Sequence, residues 1–112
     1  MKKSEIIGKW SFNAAFEEDL SNDKQLHFYE NGTGCVVGGT EVVLNYEWAI
    51  SKDGSDIIIG NNTTPDGEPC GKRELMESGA TLSTESLPRG EFKVLNFTKF
   101  SLPFGLRKFS KI

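Results

Sequence analysis

His27, Cys35 and Cys70 are the side chains of this sequence best suited to bind a metal or act as a nucleophile. Structural zinc sites draw their ligands in close pairs, a few residues apart. Here the three residues stand singly, eight and thirty-five positions apart, so no metal site is expected. A catalytic histidine needs a positioned partner and a cleft. His27 lies between Leu26 and Phe28, and strand alternation puts it on the outer, solvated face. No Gly-x-Ser-x-Gly elbow occurs. The carboxylates Glu17, Glu18 and Asp19 fall in an expected loop, where solvation explains them better than acid–base work. The residues therefore predict no enzyme and no cofactor. Two cysteines fit either a disulfide or two buried thiols, and free thiols are the expectation.

The other stretch with chemical potential is His27 to Gly39, with glycines at 32, 34, 38 and 39. A phosphate-binding loop needs Gly-x-x-x-x-Gly-Lys-Ser/Thr between a strand and a helix. No lysine follows these glycines, and the next segment is a strand. The dinucleotide pattern Gly-x-Gly-x-x-Gly fails by one residue, and no helix N-terminus is aimed at a phosphate. A hairpin fits better. Asn31-Gly32 suits a type I′ turn, Thr33 to Val37 returns as the partner strand, and Gly38-Gly39 turns the chain again.

The elements around these residues read as strands. In Val42 to Ile50 the even positions Val42, Leu44, Tyr46, Trp48 and Ile50 are apolar or aromatic, which predicts one inward face. Asp53-Gly54 is a turn, Ile57 to Ile59 a short buried strand, and Asn61 to Pro69 a loop. Weaker strand patterns cover Lys72–Met76, Thr81–Ser86, Phe92–Phe100 and Leu102–Ile112, the last with Phe104, Leu106, Phe109 and Ile112. Trp10 and Phe12 share a face opposite Lys9 and Ser11, and Lys24 to Glu30 turns Leu26 and Phe28 inward. Helical signals are confined to Ser4–Ile7, with Ser4 as cap, and Ala14–Leu20. About eight short strands with tight turns, in a single domain spanning 1–112, predict an all-β sandwich or an antiparallel up-and-down barrel.

Charge adds one asymmetry. The chain carries −3 in total, but residues 1–70 hold twelve acidic and five basic side chains, and residues 71–112 four and eight. Such a dipolar molecule can offer an acidic face to a basic partner, with Glu17, Glu18, Asp19 and Asp23 contributing. The basic residues are neither dense nor interleaved with stacking aromatics, which argues against nucleic acid. No apolar run approaches the ~18 residues of a membrane span, so no membrane insertion is expected. Lys2-Lys3 is followed by no apolar stretch, so no secretory signal is read and a cytoplasmic location is expected; an exported mature form remains compatible.

Two features taken together resemble a known family. One is Gly8-Lys9-Trp10 at the mouth of the first strand. The other is Leu26-His27-Phe28-Tyr29-Glu30-Asn31-Gly32-Thr33-Gly34, followed by Tyr46-Glu47-Trp48 and Ile57-Ile58-Ile59. In order and spacing these resemble the small bacterial lipocalin-like domains of the calycin group. The resemblance implies a closed antiparallel barrel of about eight strands with at most one or two short helical turns. It implies that Trp10 plugs one end, beneath an arginine from the last strand, for which Arg107 is the candidate. Phe28, Leu44, Tyr46 and Trp48 would then line any cavity. The implied function is non-enzymatic binding of a small apolar ligand inside the barrel. The alternative, from size and charge, is a cytoplasmic inhibitor or immunity-type protein that blocks a basic protein through Glu17, Glu18 and Asp19.

Overall fold

The computed structural model describes residues 1–71, 73–100 and 106–112. Within them nine strands form one antiparallel sheet, preceded by a single short helix, α1 (Lys3–Ile6). The strands are β1 (Gly8–Ser11), β2 (Lys24–Phe28), β3 (Thr33–Gly38), β4 (Glu41–Ile50), β5 (Ile57–Thr63), β6 (Leu75–Glu77), β7 (Ala80–Leu87), β8 (Gly90–Phe97) and β9 (Lys108–Lys111). Their order across the sheet is β6-β5-β4-β3-β2-β1-β9-β8-β7. Neighbours in the chain are thus neighbours in the sheet except β6 and β7, which stand at its two ends, and β1 joins the two runs by pairing with β9. The expected Phe104 contribution lies outside the described residues.

Among the described residues no ladder joins the outer strands β6 and β7, so the predicted closure by strand pairing is not seen. The reason is local. Only Ser78-Gly79 separates the two strands, and the chain passes there from one ladder to another. Ser78 N donates to Ile57 O on β5, while Ser78 O accepts from Lys99 N and Phe100 N, and Gly79 O from Thr98 N. Asp56 holds this junction. Its carboxylate accepts from Ile57 N (2.7 Å), Ala80 N (2.8 Å), Ser78 Oγ (3.1 Å) and Gly79 N (3.2 Å).

One face of the sheet carries the core: Ile6, Trp10, Leu26, Phe28, Val36, Tyr46, Trp48, Ile57, Leu95, Phe97 and Phe109, all 2% exposed or less. The β2–β3 hairpin forms as expected, but its turn is set one residue earlier. Gly32 N donates to Tyr29 O, so Glu30 and Asn31 are the central pair. Gly32 then takes φ +87° while Asn31 stays at negative φ, a turn followed by a bulge rather than type I′. Asn31 Oδ1 accepts from Thr33 N (3.0 Å) and Thr33 Oγ1 (2.7 Å).

Three further expectations change. The inward face of β4 does not include Val42, which is 42% exposed. Val36 pairs with Leu44 but Val37 pairs with Val42, so a bulge at Val43 flips the strand's first residues outward. The β5 strand continues through Asn61, Asn62 and Thr63, which were expected in a loop. Asn61 supplies the extra residue of a second bulge at φ +48°, a conformation asparagine tolerates better than most. At the N-terminus Ser4 is inside α1 and caps nothing; instead Glu5 Oε1 accepts from Lys2 N (2.8 Å).

Candidate functional site

Phe28, Tyr46 and Trp48 come together on the inner face. Phe28 meets Tyr46 edge-on at 5.6 Å between ring centroids and Trp48 at 5.1 Å. Their polar ends are satisfied internally: the Tyr46 hydroxyl donates to His27 O (2.6 Å), and the Trp48 indole N–H lies between Tyr29 O (3.0 Å) and Thr33 O (2.9 Å). The three rings therefore fill one another's space. Leu44 is half-buried one row away, opposite Val36.

Gly34 makes this cluster possible. It sits in register between Phe28 and Tyr46, and the Tyr46 ring crosses directly over it to reach β2. A Cβ at Gly34 would overlap both the His27 carbonyl oxygen and the ring.

Trp10 is fully buried, and its indole N–H donates to Ile6 O (2.8 Å). Its cationic cover is Lys111, whose Nζ stands 5.4 Å from the ring, not Arg107. Arg107 precedes β9, is exposed, and donates instead to Thr98 O (2.6 Å).

Glu17, Glu18 and Asp19 are exposed, but Asp23 is not part of their surface. It is fully buried; Ser11 Oγ donates to its carboxylate, as do Asn13 N and Lys24 N at 2.9 Å and Gln25 Nε2 at 3.1 Å. Ser11, expected on the wet face, is buried with it. Arg89 N donates to Ala15 O (3.1 Å) and Arg89 Nη1 to Glu17 O (3.0 Å). Asp23 and Arg89 thus pin the loop after β1 at both ends. Ala14–Leu20 forms a single turn rather than a helix. Ahead of the acidic residues, Phe16 is 60% exposed.

His27 lies on the outer face in a row with Gln25 and Tyr29. Its Nε2 is 2.9 Å from Gln25 Oε1, its Nδ1 3.4 Å from the Tyr29 hydroxyl, and that hydroxyl 3.5 Å from Cys35 Sγ. Partial burial, and then the charge of Lys9, lower the His27 pKa. The hydrogen bond with Cys35, reinforced by burial, pushes Tyr29 up to about 12. At neutral pH the row is uncharged, a set of weak hydrogen bonds without an activated base. Cys35 and Cys70 are both free. Among the described residues no group of three or more His, Cys, Asp or Glu could hold a metal, and no helix is long and apolar enough to cross a membrane.

Open space lies at the surface, both beside Gly34 and Tyr46 and along β5 and β6. A cleft of about 550 Å³ opens beside the β5–β6 pair, bordered by the apolar Ile59, Leu75, Met76 and Phe100 and by Asn62, Glu77 and Lys99. The β5 backbone packs closely against the segment before β6: a Cβ at Gly60 would overlap the Glu74 carbonyl. The Phe100 ring meets Phe97 at 5.3 Å and so ties the cleft to the core. Lys99 Nζ and Glu77 Oε2 form a 2.6 Å ion pair at the rim; the hydrogen bond with Glu77, and its charge, raise the Lys99 pKa. Asn62 Oδ1 is buried and has no hydrogen-bond partner among the described residues, although Asn62 O accepts from Cys70 N (2.9 Å). The chain matches no known protein family, no curated protein and no solved structure.

The arrangement offers apolar lining residues, a neutralised ion pair and, at its wall, an asparagine whose buried amide oxygen is unpaired among the described residues. Sequence reasoning missed it because its residues come from a segment read as a loop and from the faintest strand. The available signal was Asn61-Asn62 directly after Ile57-Ile58-Ile59-Gly60. Two asparagines continuing a β-branched run suggest a bulge as readily as a loop.

Proposed function

We propose that this chain is a non-enzymatic binding protein whose sheet rolls into a partly open, lipocalin-like barrel that leaves β7 as a free edge. It takes a small, largely apolar ligand carrying one N–H or O–H donor in the β5–β6 cleft. The observation that carries this reading is the Asn62 amide oxygen. A buried acceptor without a partner costs roughly 1–3 kcal/mol, and a ligand donor that meets it as the Asn62 amide turns toward the cleft relieves that cost. Ile59, Leu75 and Phe100 take the apolar body, and the volume falls in the range of small-molecule sites. The rolled barrel is supported by the sheet order and by Ser78-Gly79, which hydrogen-bonds to β5 and to the end of β8. The ligand seat thus moves from the filled space around Phe28, Leu44, Tyr46 and Trp48 to the rim.

N-phenyl-1-naphthylamine, an apolar fluorophore with one N–H, tests the reading. The wild type is expected to enhance its emission with a Kd in the micromolar range. Leu75→Trp, which fills the cleft, abolishes the enhancement, and Asn62→Ala weakens binding about three- to tenfold, as loss of one neutral hydrogen bond implies. No enhancement, or enhancement untouched by Leu75→Trp, refutes the cleft as a ligand site.

The inhibitor reading retains one specific support, the pinned loop that presents Phe16 beside Glu17, Glu18 and Asp19. An exposed aromatic next to a charged cluster on a rigid loop suits a protein interface. Its test is complex formation with the product of the adjacent gene, lost in Phe16→Ser/Glu17→Lys. An intact complex in that variant eliminates the loop as the interface.

A further inference from the structure

The parity of the β7–β8 ladder fixes which groups of β7 face outward. Thr98 N donates to Gly79 O, while Ala80 N goes to Asp56 and Phe97 N to Arg107 O. Residue 79 therefore bonds across to β8, and so do Thr81, Ser83, Glu85 and Leu87, two residues apart along the register. The N–H and C=O groups of Leu82, Thr84 and Ser86 point the other way. Among the described residues β7 pairs with no strand on that side, and Thr84 and Ser86 are exposed.

Natural sheets protect such an edge with lysine, proline, a bulge or brevity. Within Ala80–Leu87 there is no lysine and no proline, and the register with β8 runs without a shift. The opposite edge, β6, is three residues long. The single charge on β7 is Glu85, already neutralised by Lys108 at 2.7 Å.

We propose that β7 is an interface for a second copy of this chain, the two β7 strands pairing antiparallel about a two-fold axis at Thr84. A two-fold contact must be self-complementary, and this one is. Thr84 faces its own counterpart, and Leu82 faces Ser86 of the other copy. All outward N–H and C=O groups of Leu82, Thr84 and Ser86 then find partners. On the neighbouring positions Glu85 stands opposite Ser83 of the second copy and diagonal to its Glu85, where each carboxylate carries Lys108 as counter-ion. The pairing extends the sheet from one molecule into the next and leaves the β5–β6 cleft free.

An interface made chiefly of one strand pair is small, and a Kd on the order of 100 µM is expected. Sedimentation equilibrium of the full chain, from about 20 µM to about 1 mM, should show the average mass rising toward that of a dimer. Amide hydrogen exchange by NMR should show Leu82, Thr84 and Ser86 gaining protection over that range, with Thr81, Ser83 and Glu85 protected throughout. Thr84→Pro removes an outward N–H and Thr84→Lys places like charges at the axis; each should raise the Kd at least tenfold. The exposed lysine leaves the monomer fold intact should the proline disturb it. A monomer at every concentration overturns the proposal. So does a dimer indifferent to Thr84→Lys, or one in which Leu82, Thr84 and Ser86 gain no protection.

Discussion

Replacing Asp56 by alanine removes one carboxylate and strands three backbone N–H groups at the point where the chain leaves the β5 ladder for the β8 ladder. Two of the lost bonds are short and charge-assisted, from Ile57 N at 2.7 Å and Ala80 N at 2.8 Å. Those from Ser78 Oγ and Gly79 N, at 3.1 and 3.2 Å, are weaker. A hydrogen bond to a charged group is worth about 1.5–3 kcal/mol net. Asp56 is only half-buried, so the low end applies to the two short bonds and the longer pair adds little. The expected loss is about 3 kcal/mol for Asp56→Ala and about half of that for Asp56→Asn, which keeps an acceptor. Urea unfolding at pH 7 measures both, with an unchanged m-value showing that only stability moved. A pH series adds an independent check. Burial is the largest single influence and raises the Asp56 pKa, but Ala80 N, Gly79 N, Ile57 N and Ser78 Oγ together outweigh it and hold it below 3.8. A carboxylate with a lowered folded-state pKa stabilises fully above its unfolded value and ceases to do so as the pH falls through the folded one. The advantage of wild type over Asp56→Asn should therefore be level from pH 7 to about 5 and shrink below about 4. A loss under about 1 kcal/mol in Asp56→Ala, or an advantage that grows on acidification, would refute the carboxylate as the clamp of the β6–β7 junction.

Trp10→Ala should destabilise by about 3–5 kcal/mol, because the ring is fully buried, bonded to Ile6 O and covered by Lys111; a change under about 1 kcal/mol in urea unfolding would contradict its place in the core. Gly34→Ala should lose about 2 kcal/mol or more through overpacking against Tyr46 and the His27 carbonyl. Combined with Tyr46→Ala, which vacates the space, it should add far less than that. Strict additivity in this cycle would show that the two positions do not compete for the same volume.

The strands were legible because alternation survives wherever one face is buried. Leu26 and Phe28, Tyr46 and Trp48, and Phe109 all sit inward where the period places them. What alternation cannot show is a bulge, since one extra residue leaves the composition unchanged and reverses every side chain beyond it. Val42-Val43 is the clearest case: either valine could have continued the inward row, but the pairing of Val37 with Val42 ends that row at Leu44 and leaves both exposed. Asn61 shows the same limit in β5. The turn at residues 29–33 was legible as a turn, but its phase depended on which of Asn31 and Gly32 took positive φ, and only glycine does so without strain.

The residues that escaped sequence reading are the two carboxylates that gather backbone N–H groups, Asp23 and Asp56, and they escaped for one reason. Asp23 lies in an acidic neighbourhood and Asp56 beside a Ser/Asp/Gly turn, so local composition assigns both to solvated surface. Each acts on partners distant in sequence: Asp23 on Ser11, twelve residues away, and Asp56 on Ala80, twenty-four away. A carboxylate is the side chain best able to gather several backbone N–H groups at once, which is the requirement wherever a strand ends without a partner strand. Asp23 gathers Asn13 N and Lys24 N where β1 gives way to its loop; Asp56 gathers Ile57 N, Gly79 N and Ala80 N where β6 gives way to β7. Both are local substitutes for a missing strand neighbour. On β7 the substitution stops at Ala80: among the described residues Leu82, Thr84 and Ser86 have no carboxylate beside them, so their outward backbone groups are left to water or, in the proposed dimer, to a second strand.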